Sequence, residues 1–495
     1  MRAVPIETGC GPPGCPKPTF ELRSLLRRTA DLAADFLESL DTRSVFPDVS
    51  RDELLAALGK RLQEEPVPAE EVLSELAVGA EPGVVSMPSG RYFGFVVGGV
   101  LPAALAADWL TSAWDQNAGL YAGGPSASVV EEVVREWLCE LLGLPKHSSI
   151  GFVTGTQMAH VTALAAARYH ALHRVGWDVG RDGLTGAPRV RVLVGAKRHV
   201  TVDRALRLLG LGRPTVVAAD DQGRLQADAL RESLARSEGP TIVCAQVGEV
   251  NTGAIDPLNE IAASARSANA WLHIDGAFGL WAAASPSLRH LVDGVELADS
   301  WATDAHKWLN VPYDSGIVLC AHPQSHRAAM RVTESYLIQN DGSQDMRDQL
   351  DWTPEASRRA RGFAVYAALR SLGRKGIAEL VERCCDAAHR FAEGVPQLNG
   401  GELVHGVVLN QVLFRFEDDA RTDAILERVQ RAGVVWMSGT TWDERKAIRL
   451  SVSNWQTTEA EIDLALDEFR RAARTRDPAG QSTARRALRR SRASQ

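Results

Sequence analysis

TDAHKWLNVPYDSG, residues 303–316, places one lysine where an ammonium is poorly served. Lys307 stands between His306 and Trp308, after a run of small and apolar residues and before a Pro-Tyr-Asp turn. Burial disfavours the protonated form of a lysine. An amine lowered in this way is a nucleophile that forms a Schiff base with a carbonyl substrate or with pyridoxal phosphate. Read alone, a Lys-Trp pair is equally an ordinary surface feature, so its surroundings have to decide.

Working outward, AWLHIDGAFG at 270–279 supplies a short apolar strand of Trp271, Leu272 and Ile274 that ends on Asp275. A carboxylate at the carboxyl end of a buried strand, followed at once by glycine, points into the crevice where open α/β sheets bind ligands. An aspartate facing the pyridine nitrogen is what keeps pyridoxal phosphate protonated and electron-accepting. Other short apolar runs are RVLVG at 191–195, TVVAA at 215–219, TIVCAQVG at 241–248 and SGIVLC at 315–320, each separated from the next by helical spacing. Continuous apolar strands alternating with helices predict an α/β fold with a mostly parallel sheet covered on both faces.

These features are similar to those of the group II pyridoxal-phosphate decarboxylases, the family of aromatic amino acid, glutamate and histidine decarboxylases. The likeness covers roughly residues 20–475 and rests on His306-Lys307-Trp308 with Asp275 upstream, RYFGFVVGG at 91–99, Asp115-Gln116-Asn117 and WLCELLGLP at 137–145. It implies fold type I, with a seven-stranded-type sheet, an N-terminal helical flap and a small α+β C-terminal domain. The expected division is a flexible leader at 1–18, helical segment at 19–100, cofactor-binding domain at 101–375, small domain at 376–475 and basic flexible tail at 476–495. Helices are expected from Phe20 to about Leu40, from Asp52 to Leu62, around Leu380–Phe391 and from Glu459, with strands at VVLNQVLFRF and AIRLSVSN. In the family the flap wraps around a second subunit, which implies a homodimer with the active site at the interface.

At 495 residues the chain is too long for one compact core. Its 45% apolar and 24% charged residues are those of an ordinary soluble globular protein. Neither a membrane span nor a secretory signal is indicated, and a net charge of -7 does not suggest a nucleic-acid partner. The seven cysteines neither pair by spacing nor form a zinc set, so no metal is expected and cytoplasmic residence is the natural reading.

The resemblance and the local chemistry together nominate a site. Lys307 carries pyridoxal 5'-phosphate, Asp275 faces its ring nitrogen, and His199 matches the family histidine that stacks on the ring and can hydrogen-bond the substrate carboxylate. TGTQMAHVTALAAAR, where a strand gives way to a helix, offers Gly155, Thr156 and Gln157 as a phosphate cradle, with His306 beside the lysine. Asp304 departs from the expected pattern, because a carboxylate repels a phosphate. Gly248-Glu249-Val250 replaces the usual Gly-Thr-Thr, leaving Asn251 or Thr252 to supply the missing hydroxyl. His273 shares a strand face with Asp275, as a supporting or packing group. Arg449 is suited either to a substrate carboxylate or to tying domains together.

VTESYLIQNDGSQDMRDQL at 332–350 resembles the family's active-site loop and puts Tyr336 in place as the acid that returns a proton to carbon. Relatives with phenylalanine there make aldehydes, so Tyr336 favours simple decarboxylation. Residues 91–99 with Trp114, Asn117 and Tyr121 read as an aromatic and small-residue pocket edged by Arg91, without a basic cluster for a second carboxylate. A neutral L-amino acid, aromatic before branched aliphatic, is therefore the expected substrate. Transamination, aldehyde synthesis, carbon-sulfur lysis and a silent cofactor-binding scaffold are the competing readings.

Overall fold

The computed structural model describes residues 22–236, 238–332 and 346–474. The chain separates into two compact units, Met1–Val85 and Ser86–Gln495. In the first, the helices are Leu22–Glu38, Arg51–Leu58 and Ala69–Ala80. Arg51–Leu58 starts where it does because Ser50 and Glu53 form a reciprocal capping box, with Glu53 N donating to Ser50 Oγ at 3.2 Å and Ser50 N to Glu53 Oε2 at 2.7 Å.

The second unit is organised by a seven-stranded sheet of β1 (Ser149–Val153), β2 (Arg191–Gly195), β3 (Thr215–Val217), β4 (Thr241–Gln246), β5 (Trp271–Asp275), β6 (Ser300–Asp304) and β7 (Gly316–Cys320). Their spatial order is β1-β7-β6-β5-β4-β2-β3. All neighbours are parallel except β7, which runs antiparallel to both β6 and β1. The expected α/β fold with a mostly parallel sheet is therefore present. In β1, β5, β6 and β7 every residue is buried, as in a sheet covered on both faces.

Strand β6 is one that the apolar pattern does not announce. Its sequence SWATD is too polar for an apolar run, yet each polar residue is fully buried. A smaller antiparallel sheet follows in the order β10-β11-β9-β8, with β8 (Glu402–Leu403), β9 (Gln411–Arg415), β10 (Ser438–Trp442) and β11 (Arg445–Ser451). The long helix Gly362–Gly394, kinked at Gly373, precedes it, and Glu459–Arg474 closes the described chain. Among the described residues no helix is long and apolar enough to cross a membrane.

Candidate active site

Because β7 is the strand that reverses, β1, β2, β4, β5 and β6 all end on one edge of the sheet. That edge collects the nominated residues: Gly155 and Thr156 after β1, His199 after β2, Asp275 at the tip of β5 and Lys307 just beyond β6. Gly316, which opens β7, lies directly on Gly155, and a Cβ on it would run into the Gly155 backbone. Gly98 of RYFGFVVGG packs against the carbonyl oxygen of Lys307 with no room for a side chain. Neighbouring Gly99 donates its N–H to Asn310 Oδ1 at 2.6 Å. Asn310, with φ +55°, also donates to the carbonyls of Trp308 at 2.8 Å and Ser453 at 2.9 Å. The motifs do not single this residue out, although asparagine is one of the few side chains at ease in the left-handed region.

Burial without compensation is the expectation for Lys307, and here the structure differs. Its side chain is 20% exposed, and Nζ lies 3.0 Å from Asp304 Oδ2. The same carboxylate accepts the Thr156 N–H at Oδ1, 2.6 Å away, and stands 3.6 Å from His306 Nε2. Burial pushes the Asp304 carboxyl up, but Lys307 first, then His306 and the Thr156 N–H, bring it below its ordinary range. Asp304 thus belongs to the site as the counter-charge of the lysine.

Asp275 is 5% exposed, and Ala277 N donates to its Oδ1 at 3.2 Å. Burial pushes its carboxyl up, but the adjacent His160, followed by His199 and Lys307, holds it well below the usual carboxylate range. His160 Nε2 lies 3.4 Å from Asp275 Oδ2, a contact absent from the sequence reading. Its signal is available, since His160 lies four residues after Thr156 and so shares a face of the helix Thr156–His173. His199 caps the helix Val200–Leu208, its Nδ1 accepting from Thr201 N at 3.4 Å and lying 2.8 Å from Thr201 Oγ1. Burial lowers its pKa, so the ring is neutral at pH 7 and, with Nδ1 as the acceptor, its proton belongs on Nε2. His306 is likewise lowered by burial and accepts Ser315 N–H at Nδ1, 3.1 Å away.

Orphaned buried polar atoms test whether a phosphorylated aldehyde suits this edge. Thr156 Oγ1, Gln157 Oε1 and Ser315 Oγ are buried without hydrogen-bond partners. Thr156 opens an 18-residue helix whose first N–H groups favour an anion. With Lys307 for the aldehyde and Asp275 for the ring nitrogen, the residues present fit pyridoxal phosphate. Gln157 gives its Nε2 to Thr201 O at 3.3 Å, which leaves Thr156 Oγ1 and the helix amides as the donors on offer to a phosphate there.

The 249–252 turn is arranged around Glu249 instead of a ring hydroxyl. Glu249 accepts from Asn251 N at 2.7 Å, Asn251 Nδ2 at 2.9 Å and Thr252 N at 2.8 Å. Thr252 Oγ1 reaches Gln222 O at 2.8 Å, and no described contact joins it to Lys307 or Asp275. The expected role of Thr252 therefore has no geometric support, because its hydroxyl closes the turn. Arg449 donates to Val250 O at 3.1 Å, which ties β11 to this turn. Arg91 donates to Val434 O at 2.9 Å. Tyr92 stacks on Trp436 at 5.1 Å, whereas Trp114 packs on Phe363, and no described contact joins the two groups. Tyr336 lies outside the described residues.

The pyridoxal-dependent decarboxylase conserved domain matches residues 52–417. The chain is 27% identical to the aromatic-L-amino-acid decarboxylase of Sus scrofa over 461 residues, covering 90% of this chain and 94% of that protein. It is 26% identical to 4-hydroxyphenylacetaldehyde synthase of Rhodiola rosea over 481 residues, covering 91% and 96%. Among solved structures, that of Oryza sativa TDC with PLP and tryptamine superposes with a TM-score of 0.86 at 25% identity, covering 93% of this chain and 99% of that one.

Proposed function

Because the chain belongs to the pyridoxal-dependent decarboxylase family and is a pyridoxal-phosphate-dependent carboxy-lyase, we propose that it converts a neutral L-amino acid, aromatic before branched aliphatic, to the amine and carbon dioxide. The observation that carries this reading is the convergence of an ionised buried carboxylate, Asp275, a lysine paired with Asp304, Lys307, and a neutral imidazole, His199, on one sheet edge. When bound, pyridoxal phosphate supplies the π system that accepts the electron pair left by departing carbon dioxide. Lys307 provides the nitrogen that joins the cofactor. Asp275 holds the ring-nitrogen proton in place. His199 presents Nε2–H as a donor to the substrate carboxylate, and Thr156 with the amides of its helix binds phosphate. Tyr336 is assigned the return of a proton to carbon.

The aromatic preference draws support from the aromatic-acting relatives and from Tyr92 and Phe95, whose rings lie 5.1 and 5.7 Å from that of Trp436. It is also supported by Arg91 and Arg449 being occupied with backbone carbonyls. Aldehyde synthesis is the second reading, favoured by the likeness to the Rhodiola rosea enzyme. A homodimer accounts for two further features: Trp109, Leu110 and Trp114 lie exposed on one helix, and Leu22–Glu38 buries none of its residues despite its recurring leucines. Cytoplasmic residence agrees with the free, buried state of Cys139, Cys244, Cys320, Cys384 and Cys385.

Incubating the cofactor-loaded protein with each common L-amino acid and reading product masses tests the proposal. Amines from aromatic substrates are expected. Glutamate or aspartate as sole substrate, or aldehyde as sole product, overturns it.

A further inference from the structure

Asp275 is the end of a buried line of polar side chains that crosses from β5 to a helix and back to the sheet. His160 Nε2 stands 3.4 Å from Asp275 Oδ2, and His160 Nδ1 lies 2.9 Å from His273 Nε2. His273 Nδ1 in turn lies 2.9 Å from Ser300 Oγ on β6, and Trp271 Nε1 donates to that same oxygen at 2.9 Å. His160, His273 and Ser300 are fully buried, so water cannot stand in for a missing partner.

The direction of the line follows from counting hydrogens. An indole N–H only donates, so Ser300 Oγ accepts from Trp271 and has one hydrogen left to give. Its other side-chain partner is His273 Nδ1, and giving that hydrogen to it makes Nδ1 the acceptor. A neutral imidazole carries one N–H, so His273 Nε2 donates to His160 Nδ1, and His160 Nε2–H faces Asp275. Burial pushes the pKa of His273 down to about 3, in keeping with a neutral ring. In the reverse order two lone-pair faces, His160 Nε2 and the ionised carboxylate, meet in a dry site. A doubly protonated His160 leaves the Ser300 hydrogen without an acceptor. The neutral line running from Trp271 to His160 gives each hydrogen bond one donor and one acceptor, and it leaves His160 Nε2–H facing Asp275 Oδ2 at 3.4 Å.

The geometry points to His160 as a positioning residue that, backed by His273 and Ser300, keeps the Asp275 carboxylate ionised and oriented for the ring nitrogen of the cofactor. This rests on the reading of Asp275 as the partner of that nitrogen. With His160 removed, a carboxylate in a dry pocket keeps the proton for itself, and the ring nitrogen loses it.

Protein loaded with pyridoxal phosphate labelled with 15N in the ring tests this directly, since the chemical shift of that nitrogen reports its protonation without turnover. His160→Leu is expected to move the signal toward the unprotonated position and to weaken cofactor binding by roughly ten- to a hundredfold, the range of one hydrogen bond to a charged group. His160→Gln, which can still donate to Asp275 and accept from His273, is expected to keep the native shift. Asp275→Asn separates the two levels of the argument. A signal that moves in Asp275→Asn and stays native in His160→Leu overturns the relay alone. A signal unmoved in Asp275→Asn overturns both the relay and the role of Asp275. A His160→Gln signal displaced as far as that of His160→Leu also refutes the donor role. If His160→Leu fails to fold, Ser300→Ala frees His273 to reverse its tautomer and is expected to move the signal in part; a native shift there overturns the inference.

Discussion

Asp304→Asn is expected to make the protein bind pyridoxal phosphate more tightly. In the native chain the Asp304 carboxylate is 2% exposed, lies 3.0 Å from Lys307 Nζ and takes the Thr156 N–H at 2.6 Å. At an effective dielectric of 20, unit charges 3.0 Å apart attract by about 5.5 kcal/mol before desolvation is counted. A charge-assisted hydrogen bond retains roughly 1.5–3 kcal/mol of net worth. Loading the site would take Lys307 out of this pair and bring a phosphate to a helix start whose Thr156 amide Asp304 already occupies. Asparagine keeps an acceptor for Thr156 N–H but offers no charge to the lysine and no repulsion to the phosphate. Removing roughly 1.5–3 kcal/mol from the cofactor-free state alone corresponds to about ten- to a hundredfold tighter binding. The cofactor-free variant should also unfold at lower temperature than the native protein, while the loaded forms differ less. Titrating cofactor-free protein by visible absorbance gives the dissociation constant. An unchanged or weaker affinity refutes the reasoning, since it makes the carboxylate part of the cofactor's hold.

Three more outcomes are expected. Asp275→Ala should retain some cofactor and lose turnover by roughly a hundredfold or more, as for other groups that stabilise developing charge; steady-state kinetics on the loaded variant check it, and near-normal turnover contradicts the assignment. Gly98→Ala should displace the Lys307 backbone and lower the fraction of lysine-bound cofactor seen by absorbance, whereas Gly406→Ala, which meets no neighbour, should leave that fraction unchanged. The third concerns acid. His273 and His326 are both fully buried, and burial pushes each down to about 3. A base whose pKa is lowered on folding contributes stability that is complete above its unfolded value of about 6.5 and is lost as pH falls toward 3. By pH 5 each costs about 2 kcal/mol, so melting temperature should drop from pH 7 to pH 5, and less steeply in His326→Asn.

Most strands of the large sheet are legible because a strand covered on both faces has to be largely apolar, as IVCA of β4 and GIVLC of β7 are. Strand β6 escapes the same test. Its serine and aspartate are buried because partners on other elements satisfy them: His273 and Trp271 for Ser300, Thr156 and Lys307 for Asp304. Asp275 and His199 can be read because each ends or follows a recognisable strand, and Lys307 because His306-Lys307-Trp308 matches a family motif. His160 leaves only the indirect signal of its place one turn after Thr156, since nothing in a linear sequence says which turn of a helix will face the tip of a strand more than a hundred residues away. Thr252 misleads for a related reason: a hydroxyl two or three residues from a buried glutamate is claimed locally before it can reach a ligand.

Strands β6 and β7 are adjacent and antiparallel, so the segment 305–315 that carries Lys307 leaves the middle of the sheet and returns to it one strand over. Both of its ends are therefore stapled to strands in which every residue is buried. Helices and outer loops can drift in sequence without shifting the amine, whereas inserting or deleting even one residue in 305–315 would throw it out of reach of Asp275. Length in this short arch should accordingly be far less negotiable than composition anywhere on the periphery.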